Sequence, residues 1–353
     1  MKTQVTAIAY ALLAALFYAL NVPCSKWLLA YVPPVCLAGV LYVGAGLGVG
    51  AMYIFSRKNE KPCDRLSRAD WPYAAGMVAL DVVAPILLMF GVKLGTSANA
   101  SLLGNFEIVA TALIAMLLFR ERVSLRLWVA VALITIASVI LSFEGVDGLK
   151  FSVGSILVLG ATVCWGLENN CTRRISGKST YQIVTVKGFC SGAASLALSF
   201  AVGEKLPPAR FVASALVLGF VAYGLSIFTY VRAQRDLGAA KTSAYYAVAP
   251  FAGALLSFAF LGETLSPFYL AALAMMVSGT VFVVYDTLHH SHSHAHAHRI
   301  VHTHGGRTHV HLIEHTHEHG HFLSEGRHSH RHSARELLGN RHPYLEETTN
   351  GIH

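Results

Sequence analysis

The sequence predicts an all-α integral membrane protein of ten transmembrane helices, arranged as two inverted five-helix repeats with the N- and C-termini cytoplasmic. Three observations carry that expectation. Hydrophobic residues make up 54% and charged residues 13% of 353 positions, more apolar surface than a soluble domain can bury. Apolar windows of about 20 residues, the length that crosses the hydrocarbon core of a bilayer, recur along the chain. The second half of the apolar part also echoes the first at a nearly fixed offset.

The apolar windows run from about Val5 to Ala30, Pro34 to Phe55, Trp71 to Val92, Ala98 to Phe119 and Leu125 to Phe143. They continue from about Val153 to Cys171, Tyr181 to Val202, Phe211 to Val231, Thr242 to Leu261 and Pro267 to Tyr285. They read as helices, because an open strand would leave its backbone groups unpaired in lipid. Lys2 followed by an apolar run has the look of a secretory leader, but nine more windows come after it, and the run reads as a first membrane helix. With the N-terminus inside, fifteen Lys and Arg residues fall on the inner segments and five on the outer ones. That excess puts both termini in the cytoplasm, which an even number of crossings also requires. The six cysteines form no Cys-x-x-Cys pair, so neither a disulfide framework nor a thiolate metal site is expected.

The repeat is visible at several places. Glu263 follows Glu121 by 142 positions, as Ser266 follows Ser124 and Pro250 follows Ile108. The string from Tyr18 to Lys26 lies over that from Trp165 to Arg173 at an offset of 147, with aromatic, Leu, polar, Cys, hydroxyl and cation in the same order. Leu94-Gly95 is echoed by Leu237-Gly238. Five helices is an odd number, so the second unit enters the membrane from the opposite side. Inverted repeats of this kind belong to secondary transporters, whose site lies near the midplane between the repeats. The chain therefore divides into residues 1–145, 146–287 and a tail, 288–353.

With Phe119-Arg120-Glu121-Arg122-Val123 closing the fourth window and Leu261-Gly262-Glu263-Thr264-Leu265 closing the ninth, the pattern resembles the EamA branch of the drug/metabolite transporter superfamily over residues 5 to 285. The resemblance implies a proline in the middle of the fourth and ninth helices; Pro250 has it and Ile108 does not. Glu121 and Glu263 are read first as turn residues, beside the natural N-caps Ser124 and Ser266.

Polar residues inside the windows carry more information, since a charge at the bilayer centre costs about 2.5–3.5 kcal/mol on insertion scales and normally faces a cavity or a partner. At 1.5 Å per residue, Asp81 and Glu107 each lie about 15 Å into their windows, near the midplane. Two readings stay open for them, an interhelical hydrogen bond or the lining of a transport cavity. Asn105 precedes Glu107 and points elsewhere on the helix. Glu168, with Asn169 after it and Trp165 one turn before, matches Asn21 and Tyr18 under the inversion. An aromatic face beside a polar group suits a small organic solute, and a solvated helix end beside an interfacial aromatic is the alternative. Lys187 is either a snorkelling lysine or a counter-ion for one of the acids. Tyr245 and Tyr246 precede Pro250 and are read as packing or as pocket lining. The substrate-site candidates are thus Asn21, Asp81, Asn105, Glu107, Trp165, Glu168, Asn169, Lys187, Tyr245 and Tyr246.

Beyond Asp286 the composition changes, and all 19 histidines lie there. They alternate in short runs: His290, His292, His294, His296 and His298; His302 and His304; His309 and His311; His315, His317, His319 and His321; His328, His330 and His332. Neutral imidazole binds Zn, Ni, Co and Cu, so these residues are candidate metal ligands. The stretch is expected to be disordered without metal.

The function expected is a secondary transporter that moves small organic metabolites, amino-acid-like or drug-like, most simply as an exporter working by alternating access, with a metal-binding tail. The alternative is a divalent metal exporter or a membrane-anchored metal-responsive protein. The apolar windows hold no His and no metalloprotease motif, so no enzyme is expected. No cofactor is required beyond metal at the tail. The partners expected are the solute, the lipid bilayer and transition-metal ions, with a homodimer as an option and no nucleic acid. The bacterial inner membrane is the expected location.

Overall fold

The computed structural model describes residues 2–57, 60, 65–119, 124–144, 150–175, 177–237, 242, 245–263, 267–304 and 307–322. Glu121, Ser266, His328, His330 and His332 lie outside the described residues. The chain divides into two compact units, Met1–Thr287 and Leu288–His353.

The first unit is helical. In chain order its helices are α1 (Lys2–Ala19), α2 (Asn21–Leu28), α3 (Pro34–Ser56), α4 (Trp71–Leu94), α5 (Ser97–Leu103), α6 (Phe106–Phe119) and α7 (Leu125–Leu141). They continue as α8 (Val153–Ile175), α9 (Thr180–Val186), α10 (Gly192–Ala201), α11 (Ala209–Gly219), α12 (Ser226–Leu237), α13 (Ala249–Leu261) and α14 (Pro267–Leu288). Two strand pairs accompany them: Phe143–Glu144 (β1) against Lys150–Phe151 (β2) in the first unit, and one ladder in the second.

Among the described residues six helical stretches are long and apolar enough to cross a membrane: Val5–Leu28, Pro34–Ser56, Arg68–Leu94, Thr180–Ala201, Ala209–Ala233 and Phe268–Tyr285. Leu125–Leu141 and Ala249–Leu261 are apolar but shorter. The two remaining windows fall short of a plain apolar span for local reasons. The fourth is split into α5 and α6 at Gly104-Asn105, and the sixth carries Glu168, Asn169 and Asn170. Large apolar side chains on the outside, such as Phe55 at 85% and Leu255 at 68% exposure, give the bundle the surface that hydrocarbon requires.

Several spans are interrupted, each for a legible reason. Pro23 in the first turn of α2 has no N–H to offer the preceding turn, and α1 gives way to α2 at Leu20. Pro85 sits inside α4 and leaves the Asp81 carbonyl without its i+4 donor. Between α5 and α6 the chain tightens to i+3 bonds, Gly104 N to Ser101 O at 3.2 Å and Asn105 N to Leu102 O at 3.0 Å. Lys187–Ser191 joins α9 to α10, and Phe220–Leu225 joins α11 to α12, as wider π-helical turns.

The two sequence halves interleave. The α4 helix packs on α8, α1 on α12, α3 on α10 and α11, and α5 on α13. Close approach on α3 depends on glycine: a Cβ on Gly44 would stand 2.2 Å from the Leu216 carbonyl oxygen, and one on Gly219 would stand 2.0 Å from that of Leu41. Membrane helices that meet through small residues gain backbone proximity that larger ones forbid.

In the second unit His289–His304 (β3) pairs antiparallel with Arg307–Phe322 (β4). The register sets His290 opposite His321, His292 opposite His319, His294 opposite His317, His296 opposite His315 and His302 opposite His309. Ile300, Val301, Val310, Leu312 and Ile313 bring β-branched and aliphatic residues to the middle of the ladder.

Because overpacking against backbone is not relieved by a rotamer change, Gly219→Ala and Gly44→Ala should each destabilise the protein by about 1–3 kcal/mol. Thermal unfolding in detergent reads the loss, with Gly177→Ala, where a Cβ meets nothing within 4 Å, expected to match the parent.

Candidate transport site

The interrupted stretches converge on a buried polar network. Lys187, the first residue of the π-helical turn after α9, places its ammonium 3.1 Å from Asp81 Oδ2 and 3.0 Å from Glu168 Oε1. The side chains are 13%, 0% and 4% exposed, so the two acids are buried and the lysine nearly so. Tyr42 on α3 donates its hydroxyl to Asp81 Oδ1 at 2.9 Å. Thr172, one turn after Glu168 on α8, donates its hydroxyl to Glu168 Oε1. One ammonium thus serves two carboxylates, each with a further hydroxyl donor, which is the geometry a buried ion cluster needs to offset the loss of hydration.

Glu107 in the first turn of α6 is met by an amide. Asn169 donates Nδ2 to Glu107 Oε1 at 2.7 Å and to Thr111 Oγ1 at 3.4 Å. Asn21, at the α1–α2 break, donates to the Tyr223 hydroxyl at 2.9 Å and accepts from Ser25 Oγ at 3.2 Å. Tyr223 lies in the second π-helical turn. Its ring is 5.1 Å from Tyr42 and 6.0 Å from Tyr18, centroid to centroid, and Tyr18 is also 6.0 Å from Tyr246. A cluster of tyrosine rings therefore adjoins the acids.

The sequence candidates divide accordingly. Asp81, Glu168 and Lys187 meet directly; Glu107 meets Asn169; Asn21 and Tyr246 join through tyrosines. Asn105 turns back on its own chain, its Nδ2 3.3 Å from the Leu102 carbonyl and its buried Oδ1 without a hydrogen-bond partner among the described residues. Trp165 packs in the apolar core, and Tyr245 is half-buried. Sequence reasoning missed Tyr42, Tyr223, Thr111 and Thr172. The repeat offset held a signal for two of them: Tyr42 and Lys187 stand 145 positions apart and Asp81 and Tyr223 stand 142 apart, much as Asn21 and Glu168 stand 147 apart.

Comparison with known proteins agrees with this architecture. Residues 5–143 and 152–285 each match the EamA-like transporter family. An uncharacterized transporter of Methanothermobacter thermautotrophicus is 26% identical over 293 residues, covering 77% of this chain and 84% of the relative. The uncharacterized inner membrane transporter YedA of Escherichia coli (strain K12) is 24% identical over 284 residues, covering 78% and 87%. A protein of known crystal structure superposes with a TM-score of 0.57 at 19% identity, over 80% of this chain and 98% of its own; at that identity the likeness is one of fold. Several membrane-spanning helices and relatives of this kind make the chain a multi-pass protein of the cell membrane.

Removing the shared cation should leave Asp81 and Glu168 facing each other uncompensated. Lys187→Met is expected to cost about 3–5 kcal/mol, read as a lowered midpoint of thermal unfolding in detergent. Adding Asp81→Asn and Glu168→Gln to it should recover much of that loss.

Proposed function

Because the chain belongs to the EamA-like transporter family, we propose that it is a secondary carrier of small organic solutes. Its two halves are inverted repeats of five transmembrane helices each, with both termini in the cytoplasm, and solute is held near the midplane and released by alternating access. The observation that carries this reading is the coincidence of the buried network with helix interruptions: Asn21, Asp81, Glu107, Lys187 and Tyr223 each lie at or beside a break, a proline or a π-helical turn. Discontinuous helices at the meeting of two repeats are where carriers of this architecture bind solute.

The chemistry favours a solute with both polar and apolar parts, such as an amino-acid-like or drug-like metabolite. Export is the direction proposed. Asp81, Glu107 and Glu168 form the polar floor, with Lys187 as their counter-ion, and Tyr18, Tyr223 and Tyr246 form the apolar wall. One ammonium among three carboxyls leaves room for a proton to enter the cycle at a carboxyl, as a coupling ion.

A second reading concerns the tail. The antiparallel register that sets histidine opposite histidine at five rungs supports binding of Zn, Ni, Co or Cu by the tail, as a buffer or sensor attached to the carrier. The alternative that the carrier moves the metal itself is weaker, since no histidine occurs before His289.

The reading is tested by thermal-shift screening of the purified protein against amino acids, nucleosides, drugs and divalent metals, followed by flux of any hit in proteoliposomes. Glu107→Gln is expected to cut flux at least tenfold while leaving insertion intact; unchanged flux would remove Glu107 from the site. Deletion of residues 289–353 should abolish nickel and zinc binding and leave solute flux as it was. Loss of all flux on deletion would instead make the tail part of the pathway.

A further inference from the structure

Two helix N-termini of the first half are capped by carboxylates that arrive from the second half. At α3, Pro33 occupies the capping position and offers no side-chain acceptor. Glu204 supplies one, its Oε1 accepting from Val35 N at 3.2 Å and its Oε2 from Cys36 N at 2.7 Å, with Ser199 Oγ donating to Oε2 at 2.9 Å. At α5, Thr96 covers only the Asn99 amide, at 3.3 Å. Glu263 takes the two amides before it, Ser97 N at 2.7 Å and Ala98 N at 2.8 Å. Glu263 thus caps a helix of the other half, beyond the turn role its sequence position indicates.

The two devices are built alike. Each glutamate directly follows a left-handed glycine that ends the preceding helix, Gly203 at φ 79° and Gly262 at φ 63°, a conformation in which a Cβ would be strained. Lys26 adds the opposite charge at a helix C-terminus: its Nζ donates to the carbonyls of Val92 at 2.7 Å and Gly95 at 2.6 Å, at the end of α4. Carboxylates on N-termini and an ammonium on a C-terminus are the pairings a helix dipole favours.

The same sequence offset points to a counterpart. Glu60 precedes Glu204 by 144 positions. Glu60 stands near the start of α9, and among the described residues no α9 backbone amide donates to it. It accepts from the Tyr53 hydroxyl at 3.1 Å and from Gln182 Nε2 at 3.4 Å, while the Gln182 amide reaches only Ser179 Oγ, at 3.4 Å. A cavity of about 280 Å³ lies there, lined by Tyr53, Leu66, Gln182 and Thr185 among others.

We propose that Glu204 and Glu263 are latches of the transport cycle, each holding one end of the bundle by capping a helix of the opposite half. Glu60 is the matching latch of the other end, released in this conformation and taking the α9 amides in the alternate one. The inference rests on the inverted-repeat carrier reading. It makes these glutamates positioning residues, remote from the solute.

The chain contains its own reporter. Cys36, 1% exposed, is one of the residues whose amide Glu204 holds. Full-length protein in proteoliposomes is treated with a membrane-impermeant maleimide, and labelling of Cys36 is followed by peptide mass spectrometry. Glu204→Ala should speed labelling at least tenfold, and Glu204→Gln, which keeps one acceptor oxygen, should speed it less. The decisive variant is Glu263→Ala, which touches α5 and leaves the α3 cap intact. A latch opens the whole end and exposes Cys36 in this variant too, whereas local fraying of α3 would leave Cys36 as protected as in the parent and overturn the proposal. Glu60→Ala should leave Cys36 protected and slow flux; faster Cys36 labelling there would overturn its assignment to the opposite end. If Glu204→Ala does not fold, Glu204→Gln and Glu263→Ala carry the same decision. Labelling needs no solute, so a failed solute screen with faster labelling discards the solute reading alone, and normal flux with unchanged labelling discards the latches alone.

Discussion

The ammonium of Lys187, held 3.0–3.1 Å from both Glu168 and Asp81, is the contact on which the interior depends. A buried charge is tolerated only when partners replace its water, and here the charged partners come from different elements. Lys187 belongs to the stretch after α9, Asp81 to α4, Glu168 to α8 and Tyr42, which completes Asp81, to α3. Moving any one of these helices unsatisfies the others, so the network imposes a register on four elements at once. That is a demanding constraint for a protein whose proposed work is to change shape, and it places the resistance to change at the proposed solute site.

The helices meet the demand by giving up regularity where the network lies. A regular helix presents neighbouring side chains at fixed spacing; a proline, an i+3 turn or a π-helical turn rotates the later turns relative to the earlier ones. Pro85 one turn after Asp81, the tight turn before Glu107 and the wide turns at Lys187 and Tyr223 all lie where polar side chains enter the network. Freed backbone groups in these places are also potential partners for a solute. Close packing through Gly44 and Gly219 then holds α3 against α11 at backbone distance, so the interruptions are braced by an unbroken, glycine-rich span.

The ends of the bundle obey a different principle from its centre. In the centre, charges compensate one another; at the end that includes Pro34 and Ser97, single charges compensate helix termini. A carboxylate across two backbone amides is strong enough to fix a helix end yet breaks without leaving a buried unpaired ion, since water can reach both parts when they separate. Such contacts suit a place that opens and closes, in contrast to the Lys187 cluster.

Much of this was legible in the chain alone. Composition and window length dictated a membrane bundle, because hydrocarbon admits nothing but closed backbone structure, and duplicated motifs such as Glu121–Ser124 and Glu263–Ser266 exposed the two family units. Asp81, Glu107, Glu168 and Lys187 stood out because a charge in an apolar run has a cost that composition makes visible. What the tertiary structure alone decided was pairing. Nothing in the spacing says that Lys187 takes two acids, that Asn169 serves Glu107, or that Glu263 caps α5, since these partners lie between 19 and 166 positions apart and, except for Lys187 with Glu168, meet only because the halves interleave. Tyr42 and Tyr223 passed as ordinary apolar-window residues for the same reason: an aromatic is cheap to bury, and its hydroxyl becomes informative only once the group it bonds is known.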